Sequence, residues 1–173
     1  MTTRLEKLLA EGDLRTTGNV TKVLPFVKTQ RAFDSLFTLL FHPDRKIAMR
    51  AADAAEKLTA KNPAFLKPHR EKILQLLKCA AHIELKWHVA QLIPRLELNK
   101  RKLKIVVPLL TRQAMDGNES KIVRVNSLQA LADLSAKDPG LLRSLVPLLA
   151  KLAKEDIPSL RVRAKKLHQV LKN

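Results

Sequence analysis

The chain has 173 residues, enough for one domain with a real core or one short solenoid. Its 46% apolar and 28% charged content belongs to a folded, soluble protein. Only four Gly, five Phe, one Trp and no Tyr argue against a fold of tight β-turns and against a glycine-rich phosphate loop. The 33 Lys and Arg against 16 Asp and Glu leave a net charge of +17. Such a field attracts nucleic acid, anionic headgroups or acidic proteins, or simply makes a globally basic surface.

In chain order, "MTTRLEKLLAEGDLRTTG" at the start has no long apolar core and carries Glu6, Glu11 and Asp13, so it reads as neither a secretory signal nor a transit peptide. Residues 1–29 are expected to form an N-terminal helical cap or incomplete unit, with "VLPFV" at 23–27 as the remnant of a second helix. Then come four helix–turn–helix units, at 30–61, 64–97, 99–137 and 139–173. Their first helices are "RAFDSLFTLLF", "LKPHREKILQLLKCA", "LKIVVPLLTRQAM" and "LLRSLVPLLAKLA". The turns "HPDR", "HIE", "GNES" and "EDIPS" carry the Pro, Gly, Asn and acids of helix ends, and the linkers "KNPAF", "LNK" and "KDPG" are short. Pro108 and Pro147 fall at matching places inside the third and fourth first helices, where they should kink the chain. No stretch approaches the roughly 20 uninterrupted apolar residues of a membrane span.

The second helices carry the clearest repeat. Val123 is followed four, eight and eleven places later by Ser127, Leu131 and Leu134. Thirty-eight residues earlier Leu85 heads Val89, Ile93 and Leu96, and 38 before that Ile47 heads Ala51, Ala55 and Leu58. Thirty-seven residues later Leu160 heads Ala164, Leu167 and Leu171. Three- and four-residue steps mark one face of a helix, and the recurrence marks a repeat architecture. The residue after each head is Ala48, Lys86, Arg124 and Arg161. Six residues before the last two basic residues lie Asn118 and Glu155, in the turns. A cation at the start of one second helix can therefore reach an acceptor in a neighbouring repeat's turn, its stem packing beside the core while its head group makes the bond. The first two copies depart from the pattern, with Ala48 in the cation slot and Ala80 in the acceptor slot.

With its period, punctuation and the pairs in "IVR", "ELK" and "SLR", the chain resembles HEAT-repeat (armadillo-like) proteins over roughly residues 30 to 173. "MRAADAAEKL", "KWHVAQLIPRLEL" and "VNSLQALADL" resemble small bacterial members of that group. The resemblance implies an all-α superhelix, a solenoid of about four helix pairs with an N-terminal helical cap. It also implies a binding role without chemistry, and second helices that line a concave groove.

Offsets three, six and ten of the second helices should face that groove. The contacts expected there are Arg50, Asp53, Trp87, His88, Gln91, Asn126, Gln129 and Arg163. A polar helix face is also what any solvated repeat presents, but amides are poorer helix formers than the Lys and Glu that usually fill such surface. Trp87 either joins the groove or fills the gap between helices. Basic patches are expected at Lys100, Arg101, Lys102 and Lys104, and at Arg161, Arg163, Lys165 and Lys166.

Catalysis is not expected. His42, His69, His82, His88 and His168 are scattered without metal-ligand spacing, and no cofactor or metal is implied. Cys79, the only cysteine, excludes an internal disulfide, is expected to be a buried inert thiol, and points to a reducing cytoplasm. Three functional readings remain, with a protein or peptide scaffold first. A nucleic-acid binder that reads the phosphate backbone is the main rival. The third is a HEAT-like DNA glycosylase, for which Asp53 would be the essential carboxylate. The tryptophan–aspartate pair one helical turn apart is incomplete for that chemistry, because Gln91 follows Trp87 and Met49 precedes Asp53. The basic C-terminal copy "SLRVRAKKLHQVLKN" would cap the stack and favour a monomer.

Overall fold

The computed structural model describes residues 2–12 and 18–171. These residues form helices and no strand. The segment 13–17, part of the expected N-terminal cap, and residues 172–173 lie outside the described residues.

Four antiparallel pairs follow a short N-terminal unit. That unit is α1 (Thr2–Ala10) and α2 (Val20–Val23), the latter extended by a 3-10 turn at Leu24–Phe26 where Pro25 removes a backbone donor. The pairs are α3 (Gln30–Thr38) with α4 (Arg45–Lys61), and α5 (Arg70–Cys79) with α6 (Ile83–Leu92). They continue as α7 (Lys100–Met115) with α8 (Lys121–Ser135), and α9 (Pro139–Leu152) with α10 (Pro158–Val170). Helix starts are where the side-chain chemistry puts them. Thr29, Asp44, Asn99, Ser120 and Asp138 each accept a bond from a first-turn amide, and Pro158 opens α10 where its missing N–H costs nothing.

The heads of the four second helices, Ile47, Leu85, Val123 and Leu160, are all buried, as are Ala51, Val89, Ser127 and Ala164 one turn on. These helices stack on one another, α4 on α6, α6 on α8 and α8 on α10. In α4 the buried residues include Ala48, Ala51, Ala52, Ala54 and Ala55. Small side chains on several faces let α1, α2, α3 and α6 all approach it closely. The N-terminal unit closes the open side of α4 with Leu5, Leu9, Val20, Val23 and Val27, all buried.

Two departures from the sequence reading have proline as their cause. The first helix of the second repeat does not run from Leu66. A 3-10 segment at Pro63–His69 containing Pro68 precedes α5. This puts buried His69 against Phe37, ring centroids 3.9 Å apart, with its Nε2 2.7 Å from Asp34. A bond from Gln30, and then His69, hold the Asp34 carboxyl below its usual range despite some desolvation. Likewise α6 stops at Leu92 and finishes as a 3-10 turn at Ile93–Arg95, because Pro94 cannot donate. Pro108 and Pro147 do lie inside α7 and α9. Cys79, expected to be buried, is instead exposed at the end of α5, its Sγ donating to the carbonyl of Gln75. The apolar run around it turns Leu76 and Leu77 inward, and Cys79 falls on the other side of the helix.

Candidate functional site

Cross-repeat ion pairs hold the second-helix stack in register. Arg124 is 2% exposed, donates through Nε to the Ala114 carbonyl (2.9 Å), and reaches Glu155 in the next repeat's turn (2.9 Å). Lys86 does the same to Glu119 (2.6 Å), so the acceptor is the residue after Asn118. In the first repeat Arg45, three places before Ala48, supplies the cation and grips Glu84 at 2.8 Å. The ladder therefore runs the length of the stack, although its cations and acceptors shift by one to four positions between repeats.

Below the ladder, polar groups of the second helices meet side by side. Gln91 donates to Asn126 (2.9 Å), and Asn126 donates to the Ile122 carbonyl (2.8 Å). Arg163 donates to Gln129 (2.5 Å), which in turn donates to Asp133 (2.7 Å). Together with Glu56, Arg95 and Lys137 these residues line a cleft of about 440 Å³ crossing α4, α6, α8 and α10. Arg95 donates to Thr59 (2.8 Å) and to the Glu56 carbonyl and carboxylate, and Lys137 to the Pro94 carbonyl (2.7 Å). Gln91, Asn126, Gln129 and Arg163 are thus brought together. Lys137 sits past the last helical offset, in a linker, so helical spacing gave no signal for it.

The other expected contacts lie elsewhere. Arg50 is not a groove residue. It is fully buried, donating to the carbonyls of Leu9 (2.7 Å) and Glu11 at the C-terminal end of α1, where the helix dipole favours a cation. Gly18, at φ +54°, makes room for it: a Cβ there would sit 2.7 Å from the Arg50 Cζ. His88 is also inside, 2% exposed, because α6 packs between α4 and α8. Burial, and then the charge of Lys57, push its pKa down to about 3, so the ring stays neutral. Asp53 is largely buried and tied to Lys57, and among the described residues its Oδ2 has no hydrogen-bond partner, like the buried His88 Nδ1 and Gln91 Oε1. Trp87 is half-buried, its ring against that of His88. Among the basic residues, Lys100, Arg101, Lys104, Lys165 and Lys166 are exposed. Arg161 is half-buried and bonds the Glu155 carbonyl (3.4 Å), and Lys102 is held by Glu71. Among the described residues no group of three or more His, Cys, Asp or Glu could hold a metal ion. None of the described helices is long and apolar enough to cross a membrane.

A stack of antiparallel helix pairs, its second helices buried against one another and tied by repeating cross-repeat bonds, defines an α-solenoid. The chain belongs to the HEAT-repeat family: the family model for the HEAT repeat domain matches residues 1–170. HEAT repeats commonly mediate protein interactions, and proteins built from them are generally non-catalytic scaffolds. No curated protein matches the sequence.

Proposed function

We propose that the protein is a non-catalytic scaffold that holds a partner protein or peptide on its second-helix face, at the cleft formed by Gln91, Asn126, Gln129 and Arg163. The cleft itself carries the reading. It draws side chains from four successive second helices and mixes both charges with amides. A peptide backbone offers N–H and C=O groups in alternation, the chemistry such a row can meet.

The test is affinity capture from an extract of the native organism, with nuclease-treated and untreated arms. Wild type is compared with an Asn126→Arg/Gln129→Arg variant that blocks the cleft. A protein retained by wild type after nuclease treatment and lost by the variant supports the reading. Equal retention by both moves the partner off this face. Retention only without nuclease favours a nucleic-acid bridge.

A further inference from the structure

The cations of this chain fall into two populations. Those of the second helices are mostly committed to partners within the protein: Arg45 to Glu84, Lys57 to Asp53, Lys86 to Glu119, Arg124 to Glu155 and Arg163 to Gln129. On the first helices of the later repeats the position is reversed. α7 carries five Lys and Arg and no carboxylate, and α9 carries Arg143 and Lys151, again with no carboxylate. Lys72 on α5, Arg101, Lys104 and Arg112 on α7, and Arg143 and Lys151 on α9 are exposed. None of these six has an ion-pair partner among the described residues. The nearby acid, Glu71, is taken by Lys102 and Arg70.

Spacing puts these groups in register. Arg101, Lys104, Pro108 and Arg112 follow one another at three- and four-residue steps, as do Arg143, Pro147 and Lys151 at four. Each stripe runs past the exposed proline of its helix, and the two helices flank one cleft of about 400 Å³, lined by Pro108 of α7, Leu131 of α8 and Ser144 of α9, beside Arg143. α5 packs against the other side of α7. The result is an outer face on the side away from the stacked second helices, with cations about 4.5 and 12 Å apart along α7 and about 12 Å apart along α9.

We propose that this outer face of α5, α7 and α9 binds the phosphate backbone of duplex nucleic acid. A duplex presents one negative charge per about 1.7 Å of its axis. A helix of 16 residues, about 24 Å long, is therefore opposed by on the order of a dozen phosphates. Uncompensated, flexible cations are the groups that exchange for condensed counterions. Single strands are a poorer fit, because base stacking needs aromatic faces and neither α7 nor α9 has one. A membrane surface is poorer too: Ile105 is the one large apolar side chain exposed on these two helices, where interfacial binding needs an apolar face beside the charge. The proposal concerns a different face from the cleft above and stands or falls separately from it.

The experiment is fluorescence anisotropy with a labelled 20-base-pair duplex at about 50 and 200 mM salt. One variant, Lys104→Gln/Arg112→Gln/Arg143→Gln/Lys151→Gln, removes four charges from the outer face. A second, Lys28→Gln/Lys61→Gln/Lys165→Gln/Lys166→Gln, removes four exposed charges elsewhere and matches its net charge. With about six phosphate contacts, wild type should lose roughly 10³-fold in affinity across that salt range. The outer-face variant should bind at least about tenfold more weakly than the matched control at low salt, with a salt slope shallower by about three to four. Equal loss in both variants would overturn the proposal, as would a salt-insensitive wild type. So would tighter binding to a single strand, to anionic vesicles or to poly-glutamate than to the duplex.

Discussion

Two rungs of the same ladder should differ several-fold in energetic value, because one is buried and the other is not. Arg124 is 2% exposed and makes two charge-assisted bonds, to the Ala114 carbonyl and to Glu155. A hydrogen bond to a charged group contributes about 1.5–3 kcal/mol. Arg124→Met keeps most of the apolar stem but leaves the buried Ala114 carbonyl without this donor, while half-buried Glu155 regains some water. The expected loss is about 3 kcal/mol. Arg45→Met removes the pair with Glu84, where the arginine side chain is 44% exposed, and should cost no more than about 1 kcal/mol. Urea denaturation followed by circular dichroism and by Trp87 fluorescence measures both. Coincidence of the two probes checks that the array unfolds as one unit. With a slope of about 2 kcal/mol/M, Arg124→Met should lower the midpoint by about 1.5 M and Arg45→Met by about 0.5 M or less. A shift below about 0.3 M for Arg124→Met, or equal shifts for the two, would refute the assignment of register energy to the buried rungs. Arg124→Met/Glu155→Gln completes a cycle whose coupling should be about 1–2 kcal/mol.

Gly18→Ala should cost about 2 kcal/mol or more, since φ is +54° and the new methyl meets the buried Arg50 guanidinium. Gly117→Ala, with nothing within 4 Å, should stay within about 0.5 kcal/mol in the same thermal or urea titration. His88 supplies an acid limb. Its folded pKa lies at about 3, below the ordinary value of 6.5, so below pH 6.5 the unfolded chain binds the extra proton and stability falls as pH drops toward 3. Relative to His88→Gln, wild type should lose up to about 1.4 kcal/mol per pH unit in that window, read as the change in urea midpoint between pH 7 and 5; parallel profiles would show the ring is not buried neutral. Ala51→Leu, at a fully buried position where α4 meets its neighbours, should destabilise by about 1–3 kcal/mol, and a neutral result in the same assay would mean the helices separate there easily. Cys79 should react with a thiol reagent in the native state at nearly the rate of the urea-unfolded chain, because it is exposed; strong protection would contradict its place on α5.

The apolar period by itself determined the helix pairs and the face each second helix buries. A residue such as Val123 or Ala164 is committed by its spacing to neighbours within its own helix, and burying that stripe leaves one arrangement open. Local chemistry likewise determined most helix starts, because a capping side chain and the amide it serves lie two or three residues apart. What depends on the other elements was decided only by the tertiary structure. Arg50 and Gln91 look alike in the sequence, polar residues at groove-facing offsets. The C-terminal end of α1 and Gly18 close over the first of these and bury it, while the second meets Asn126 on the next helix. The ladder was legible as a motif but its partners were not, since Glu119 in place of Asn118 follows from how a turn approaches the neighbouring repeat. The charge of +17 was countable from the residues. Its division into cations committed to carboxylates and carbonyls and cations left facing water required the helices to be stacked, because an ion pair between residues about 30 to 40 apart exists only once the fold brings them together.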